Sequence, residues 1–228
     1  MKLPYKILLI ILVLFGCKTR ITPVAQPTSN IQLSINDKSD KQIEDIISPY
    51  SLGMAAAMNE VIGYSTSFVE KKKPSSALGN FIADAVMESA IKEYPLSTIC
   101  ILNYGGIRST LDSGEITVGD IFQVMPFENE IVILKLNTIY IDSLQNFIRT
   151  KGGEPMSDNI NSLNKVATSD QDYFYLVTSD YMANGGDNYS FLTRATERID
   201  TGIKIRDALL AYVKIHQPIT FDNKIREL

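Results

Sequence analysis

The chain has 228 residues, a formal net charge of −4 and 45% hydrophobic residues. That length suits one domain with a tail, and the composition can bury a sizeable core. The mild acidity excludes the basic stripe of a nucleic-acid binder, and two cysteines exclude a disulfide framework.

Lys2 and Lys6 open a short positive segment, and Ile7 to Phe15 is an almost unbroken apolar run. The run is shorter than the ~20 residues of a spanning helix and has the layout of a secretory signal peptide. It ends Leu14-Phe15-Gly16-Cys17, a small residue and then Cys, which resembles a lipobox. In that reading Cys17 is lipidated and becomes the mature N-terminus. An ordinary cleaved signal with a chance cysteine and a transmembrane anchor are the alternatives. Residues 18–30 are rich in Thr, Pro, Gln and Ser without an apolar period, as in a flexible tether. The expected organisation is a signal peptide at 1–16, lipidated cysteine and tether at 17–30, and a domain at 31–228. Acyl chains contribute roughly 0.8 kcal/mol per buried methylene, so such a protein is extracytoplasmic and lipid-anchored to a bacterial envelope membrane.

Along the domain, Lys41 to Ile47 carries isoleucines at helical spacing, and Pro49 is expected to stop that helix. Glu60 to Lys71 is rich in Val, Tyr, Thr and Phe and predicts a strand. Ser75 to Lys92 predicts the clearest helix, capped by Ser75 or Ser76, with a stripe through Leu78, Phe81, Ile82, Ala85 and Val86. Thr98 to Leu102 reads as a short buried strand in which Cys100 packs as an inert thiol. Thr117 to Val124 predicts a short helix opened by a capping-box variant, Thr117 with Asp120. Glu130 to Leu136 and Tyr173 to Ser179 predict strands; Thr138 to Arg149 and Lys204 to Ile215 predict helices. Asn159 to Thr168 carries no firm assignment and leaves room for one strand. Interleaved helices and strands point to an α/β (α+β layered) domain, a mixed β-sheet with packed helices.

The loops carry the chemistry. Asn103-Tyr104-Gly105-Gly106-Ile107-Arg108 and Tyr181-Met182-Ala183-Asn184-Gly185-Gly186-Asp187 each follow a predicted strand. Paired glycines let backbone N–H groups approach a ligand. Arg108 offers a planar fork for phosphate or carboxylate, and Asp187 an acceptor for ribose hydroxyls. In Met125-Pro126-Phe127-Glu128-Asn129, Pro126 restrains Met125 to extended geometry and pushes Phe127 onto a loop. Phe127 can stack on a base, worth roughly 1–3 kcal/mol, with Tyr181 as the opposite face. Each signal alone also fits an ordinary turn, a solvated charge or an aromatic packed on its own domain.

Together these blocks closely resemble the C-terminal domain of the 5′-nucleotidase family. The likeness runs through Leu78-Gly79-Asn80-Phe81-Ile82-Ala83-Asp84, the Asn103 to Arg108 block, Gly114 to Asp120, Met125 to Asn129, Tyr181 to Asp187 and Asp222-Asn223-Lys224-Ile225, about residues 55 to 225. The resemblance implies a base sandwiched between Phe127 and Tyr181 and contacted by Asn129. It implies phosphate contact by Arg108, with Asn103, Gly105, Gly106, Gly185 and Gly186 shaping the pocket and Asp187 on the ribose. Members usually place an Arg before the Leu78 helix; here Pro74 stands there, after Lys71-Lys72-Lys73. A lysine is a point charge without the bidentate fork.

In that family hydrolysis belongs to a separate metallophosphoesterase domain with two metals held by His, Asp and Asn. Two such metals clamp the attacking and leaving oxygens. This chain has one histidine, His216, and no Gly-x-Ser-x-Gly elbow. No catalytic residue, metal ligand or cofactor is therefore expected in it. A separate metallophosphoesterase chain, carrying divalent metals, is the expected partner of a nucleotide- or nucleoside-recognition domain. The alternative is a non-catalytic nucleotide-binding or scaffold lipoprotein.

Overall fold

The computed structural model describes residues 40–228. The signal, Cys17, the tether and the domain boundary at residue 31 lie outside the described residues. Asp45–Leu228 forms one compact unit.

A four-stranded sheet organises this unit, in the order β2 (Ile99–Cys100), β5 (Tyr173–Ser179), β4 (Glu130–Asn137), β6 (Glu197–Lys204). β2 runs parallel to β5, while β4 is antiparallel to both β5 and β6. The sheet is thus mixed, as expected. A second, two-stranded sheet pairs β1 (Val61–Ser65) with β3 (Gly114–Thr117). β4 has five buried residues in its eight, because helices cover both faces of the sheet. Ile131 and Ile133 point to a core shared with α2 (Ala77–Glu93) and α7 (Ile205–His216). Val132, Leu134 and Leu136 point to the opposite core, shared with α4 (Ile141–Thr150) and α5 (Ile160–Ala167).

Local rules explain the strongest elements. Ser76 accepts from the Gly79 amide and caps α2, whose apolar stripe is buried. α3 (Val118–Val124) opens with a full capping box: Thr117 accepts from the Asp120 amide and Asp120 from the Thr117 amide. Thr117→Ala is expected to lower stability by about 1 kcal/mol in urea unfolding. Cys100 is buried, and burial pushes its thiol pKa well up.

Several expectations need correction. α1 (Lys41–Met58) runs through Pro49. None of its residues is buried, so water can take the carbonyl that Pro49 leaves without a partner. The strand expected over Glu60 to Lys71 covers only Val61–Ser65, and Asn159 to Thr168 holds helix α5 around the buried Leu163. β3 and β6 have no counterpart among the expected elements. At the sheet edge β6 alternates exposed residues, among them charged Arg198 and Asp200, with half-buried Ile199, Thr201 and Ile203, the pattern of a protected edge strand.

Topology decides where the loops meet. Cys100 faces Val177 on parallel strands, and Ile131 faces Ser179 on antiparallel ones. The chain leaving β2, the chain leaving β5 and the chain entering β4 therefore share one end of the sheet. Glu130 faces Lys204, so the chain leaving β6 joins them. Crevices outside strand carboxyl ends are the usual ligand positions of such sheets.

Candidate functional site

At that end of the sheet lies a cavity of about 370 Å³, lined by Asn103, Gly105, Gly106, Arg108, Phe127, Asn129, Tyr181 and Asp187. The volume falls in the range of about 300–1,000 Å³ typical of small-molecule sites. Eight of the ten residues expected from sequence line it; Gly185 and Gly186 do not. Gly186 lies behind the wall, where a Cβ would come within 2.6 Å of the Tyr181 ring and carbonyl. Gly185 has φ +87°, a left-handed conformation that suits glycine.

Phe127 and Tyr181 are each 43% exposed, so neither ring is part of a core. Tyr181 sits on a short helix, α6 (Asp180–Ala183), and not on a loop. Met125 leaves the helical region (φ −131°, ψ 77°) before Pro126 and releases Phe127 from α3. Arg206 braces this loop from below. Its guanidinium lies 3.9 Å from the centre of the Phe122 ring, donates to the Pro126 carbonyl at 3.4 Å and bonds the Glu128 carboxylate. Arg108 is exposed, with its guanidinium 5.9 Å from the centre of the Phe127 ring.

Asp187 is held from two sides. The Asn103 amide donates to Oδ2 at 2.9 Å, and the Tyr181 hydroxyl donates to Oδ1 at 3.1 Å. Each carboxylate oxygen keeps a lone pair, so Asp187 can still accept from a vicinal pair of hydroxyls. Its φ of 51° is rare for a non-glycine residue. Its own amide donates to the Tyr181 hydroxyl at 3.1 Å.

Sequence reasoning missed Asp180. Its Oδ1 accepts from Asn129 Nδ2 at 2.8 Å, the Glu130 amide at 3.2 Å and the Tyr181 amide at 2.8 Å. One carboxylate oxygen thus joins the Phe127 loop to Tyr181 and fixes the Asn129 amide nitrogen. A lone Asp after a strand carries no signal of that task.

Two of the three lysines have different roles. Lys72 pairs with Glu70 at 2.9 Å in solvent. Lys71 Nζ donates to the Ile107 carbonyl at 2.6 Å and lies 4.3 Å from the centre of the Tyr104 ring. Burial, and then the neighbouring Arg108 charge, lower the Lys71 pKa. Lys71 therefore braces the Gly105-Gly106 turn as well as adding positive charge beside Arg108.

Among the described residues, no three His, Cys, Asp or Glu side chains gather as a metal site requires. His216 stacks on Tyr212 at 4.2 Å and bonds Glu88 at 2.8 Å.

The family model for “5'-nucleotidase, C-terminal domain” matches residues 54–137. Over that stretch the chain is similar to the C-terminal domain of 5′-nucleotidases. Asn103, Arg108, Phe127 and Asn129 lie inside the matched stretch, and Tyr181 and Asp187 follow it. The chain is 31% identical over 175 residues to the trifunctional nucleotide phosphoesterase protein YfkN of Bacillus subtilis. It is 26% identical over 201 residues to the 5′-nucleotidase of Vibrio parahaemolyticus. These matches cover 63% and 79% of this chain but 12% and 35% of the relatives. The chain therefore spans about a third of the Vibrio enzyme's length and much less of YfkN. Among solved structures, the 5′-nucleotidase precursor of Thermus thermophilus superposes with a TM-score of 0.63 at 22% identity. That match covers 79% of this chain and 41% of the other. At that identity the likeness shows the fold of the 5′-nucleotidase C-terminal domain and nothing finer.

Proposed function

We propose that this domain recognises a nucleotide or nucleoside for a 5′-nucleotidase-type hydrolase, in nucleotide catabolism. The observation that carries this reading is the lining of one cavity by two exposed aromatics, a guanidinium and a carboxylate. The base stacks between Phe127 and Tyr181, with Asn129 at its edge. Asp187 accepts from the ribose hydroxyls, and Arg108 meets the phosphate as a bidentate donor. Calorimetric titration with adenosine and AMP tests this; absence of binding for both ends it.

The second part of the proposal is a division of labour. A separate metallophosphoesterase chain supplies the divalent metals and the hydrolytic step. The support is chemical: one histidine in 228 residues, and no metal-ligating cluster among the described residues.

The third part is anchoring. Cys17 carries the lipid, and the domain works outside the cytoplasm on a tether. Among the described residues no helix is long and apolar enough to cross a membrane, so the support is the Leu14-to-Cys17 pattern. Cys17→Ser is expected to release the protein from membranes or to block its maturation. A variant that stays membrane-bound with a normally processed N-terminus contradicts the lipid assignment.

A further inference from the structure

Behind the pocket wall lies Glu154, 4% exposed and the one acidic side chain buried among the described residues. It does not line the cavity. Its Oε2 accepts from the Tyr104 amide at 2.5 Å, inside the Asn103–Arg108 loop. Its Oε1 accepts from the Tyr189 hydroxyl at 3.1 Å, at the end of the Gly185–Tyr189 loop. Tyr189 is fully buried, edge-on to Phe147 at 4.6 Å, so its hydroxyl is a rigid mount. Two lysines complete the bracket. Lys73 lies 5.1 Å from the centre of the Tyr104 ring, and Lys151 lies 5.3 Å from that of Tyr189. Burial raises the Glu154 pKa, against the pull of the two hydrogen bonds and of both lysines.

We propose that Glu154 is a positioning residue of the nucleoside pocket, locking the two loops so that Asn103 and Asp187 jointly face the ribose hydroxyls. The proposal rests on the nucleoside reading of the site. Asn103 is the residue before Tyr104, and Asp187 lies two residues before Tyr189. The Asn103–Asp187 hydrogen bond of 2.9 Å therefore spans the same gap that Glu154 spans from behind. Asp187 and Asn188 both have positive φ, 51° and 67°. Residues other than glycine keep such geometry only where their surroundings hold it, and Tyr189 is the next anchored residue. Removing the carboxyl group leaves the Tyr104 N–H and the Tyr189 hydroxyl without their buried partner, and the two loops lose their common anchor.

The test titrates adenosine and 2′,3′-dideoxyadenosine, which lacks the vicinal 2′- and 3′-hydroxyls, into the full mature chain. The wild type is expected to prefer adenosine by about tenfold, as hydrogen bonds to a charged acceptor allow. Glu154→Ala is expected to cut that preference to about threefold or less, while dideoxyadenosine binding stays within about twofold. Glu154→Gln is expected to restore it, because its oxygen accepts from Tyr104 and its amide donates to the Tyr189 oxygen. Tyr189→Phe keeps the buried ring, removes only the hydroxyl, and is expected to shrink the preference even if Glu154→Ala does not fold. An unchanged preference in the folded variants overturns the proposal. An equal loss of both ligands also overturns it, since that is the mark of a purely structural residue. Phe127→Ala serves as control: if it binds both ligands normally, or if the wild type binds neither, the nucleoside reading itself falls.

Discussion

Phe127→Ala and Tyr181→Ala are each expected to weaken adenosine binding by about 1–3 kcal/mol, roughly fivefold to 150-fold. Their melting temperatures are expected to change little. Both rings are 43% exposed and line one cavity, so truncation removes ligand-facing area and leaves the cores intact. A buried aromatic behaves differently, because Phe→Ala in a core costs about 3–5 kcal/mol of stability. Tyr181→Ala should fall at the larger end of the range, since its hydroxyl also donates to Asp187 at 3.1 Å. Tyr181→Phe separates the two contributions: it keeps the stacking face and loses the hydrogen bond. Isothermal titration beside thermal melts checks the whole series. Normal binding by both alanine variants, or simple unfolding of both, sinks the clamp.

The purified tether and domain without the lipidated cysteine, residues 18–228, are expected to leave AMP intact with added Mn²⁺, Zn²⁺ or Co²⁺. Two-metal hydrolysis needs several charged and imidazole ligands converging on two ions a few ångströms apart. The only histidine is committed to Glu88 and Tyr212. Colorimetric phosphate release is the measurement, with and without a secreted, His-rich metallophosphoesterase. Turnover that co-purifies with this chain alone, after contaminating phosphatases are removed, contradicts the division of labour. Turnover that appears only on mixing supports it, and Phe127→Ala should then weaken apparent substrate affinity in the mixture.

Much of the site is legible in the amino-acid sequence because its chemistry is concentrated in short blocks. Asn103 to Arg108, Met125 to Asn129 and Tyr181 to Asp187 each combine a backbone device with a side chain that lines the cavity. Eight of the ten residues drawn from those blocks line one cavity. The two exceptions are instructive. Gly185 and Gly186 suggest backbone N–H groups brought to the ligand, but Gly186 instead leaves room for the Tyr181 ring. A Gly-Gly pair looks the same in sequence whether it makes room for a ligand or for its own neighbour.

The residues that hold the site in shape carry no local signal. Asp180, Arg206 and Glu154 each bond groups 35 or more residues away, apart from Asp180's bond to the adjacent Tyr181 amide. Arg226 is similar: its buried guanidinium holds Asp84 through both carboxylate oxygens, at 2.7 and 2.8 Å, and ties the end of the chain to α2. Nothing in the identity of a lone Asp, Glu or Arg distinguishes these roles from solvation.

The amino-acid sequence by itself determined the elements whose causes are local. α2 follows from its apolar spacing and the Ser76 cap, and α3 from the Thr117–Asp120 box. β4 follows from a continuous apolar run that suits burial on both faces. The likeness of the loop blocks and their order along the chain were also legible there. Tertiary structure decided β3 and β6, which exist by pairing with β1 and β4, and it decided that Ile160, Leu163 and Val166 lie on one face of a helix, α5. It also decided that the three blocks meet. A parallel β2–β5 pair beside an antiparallel β4 puts two strand ends and one strand start at the same edge. Strand direction is a property of long-range hydrogen bonding, which no local residue pattern encodes.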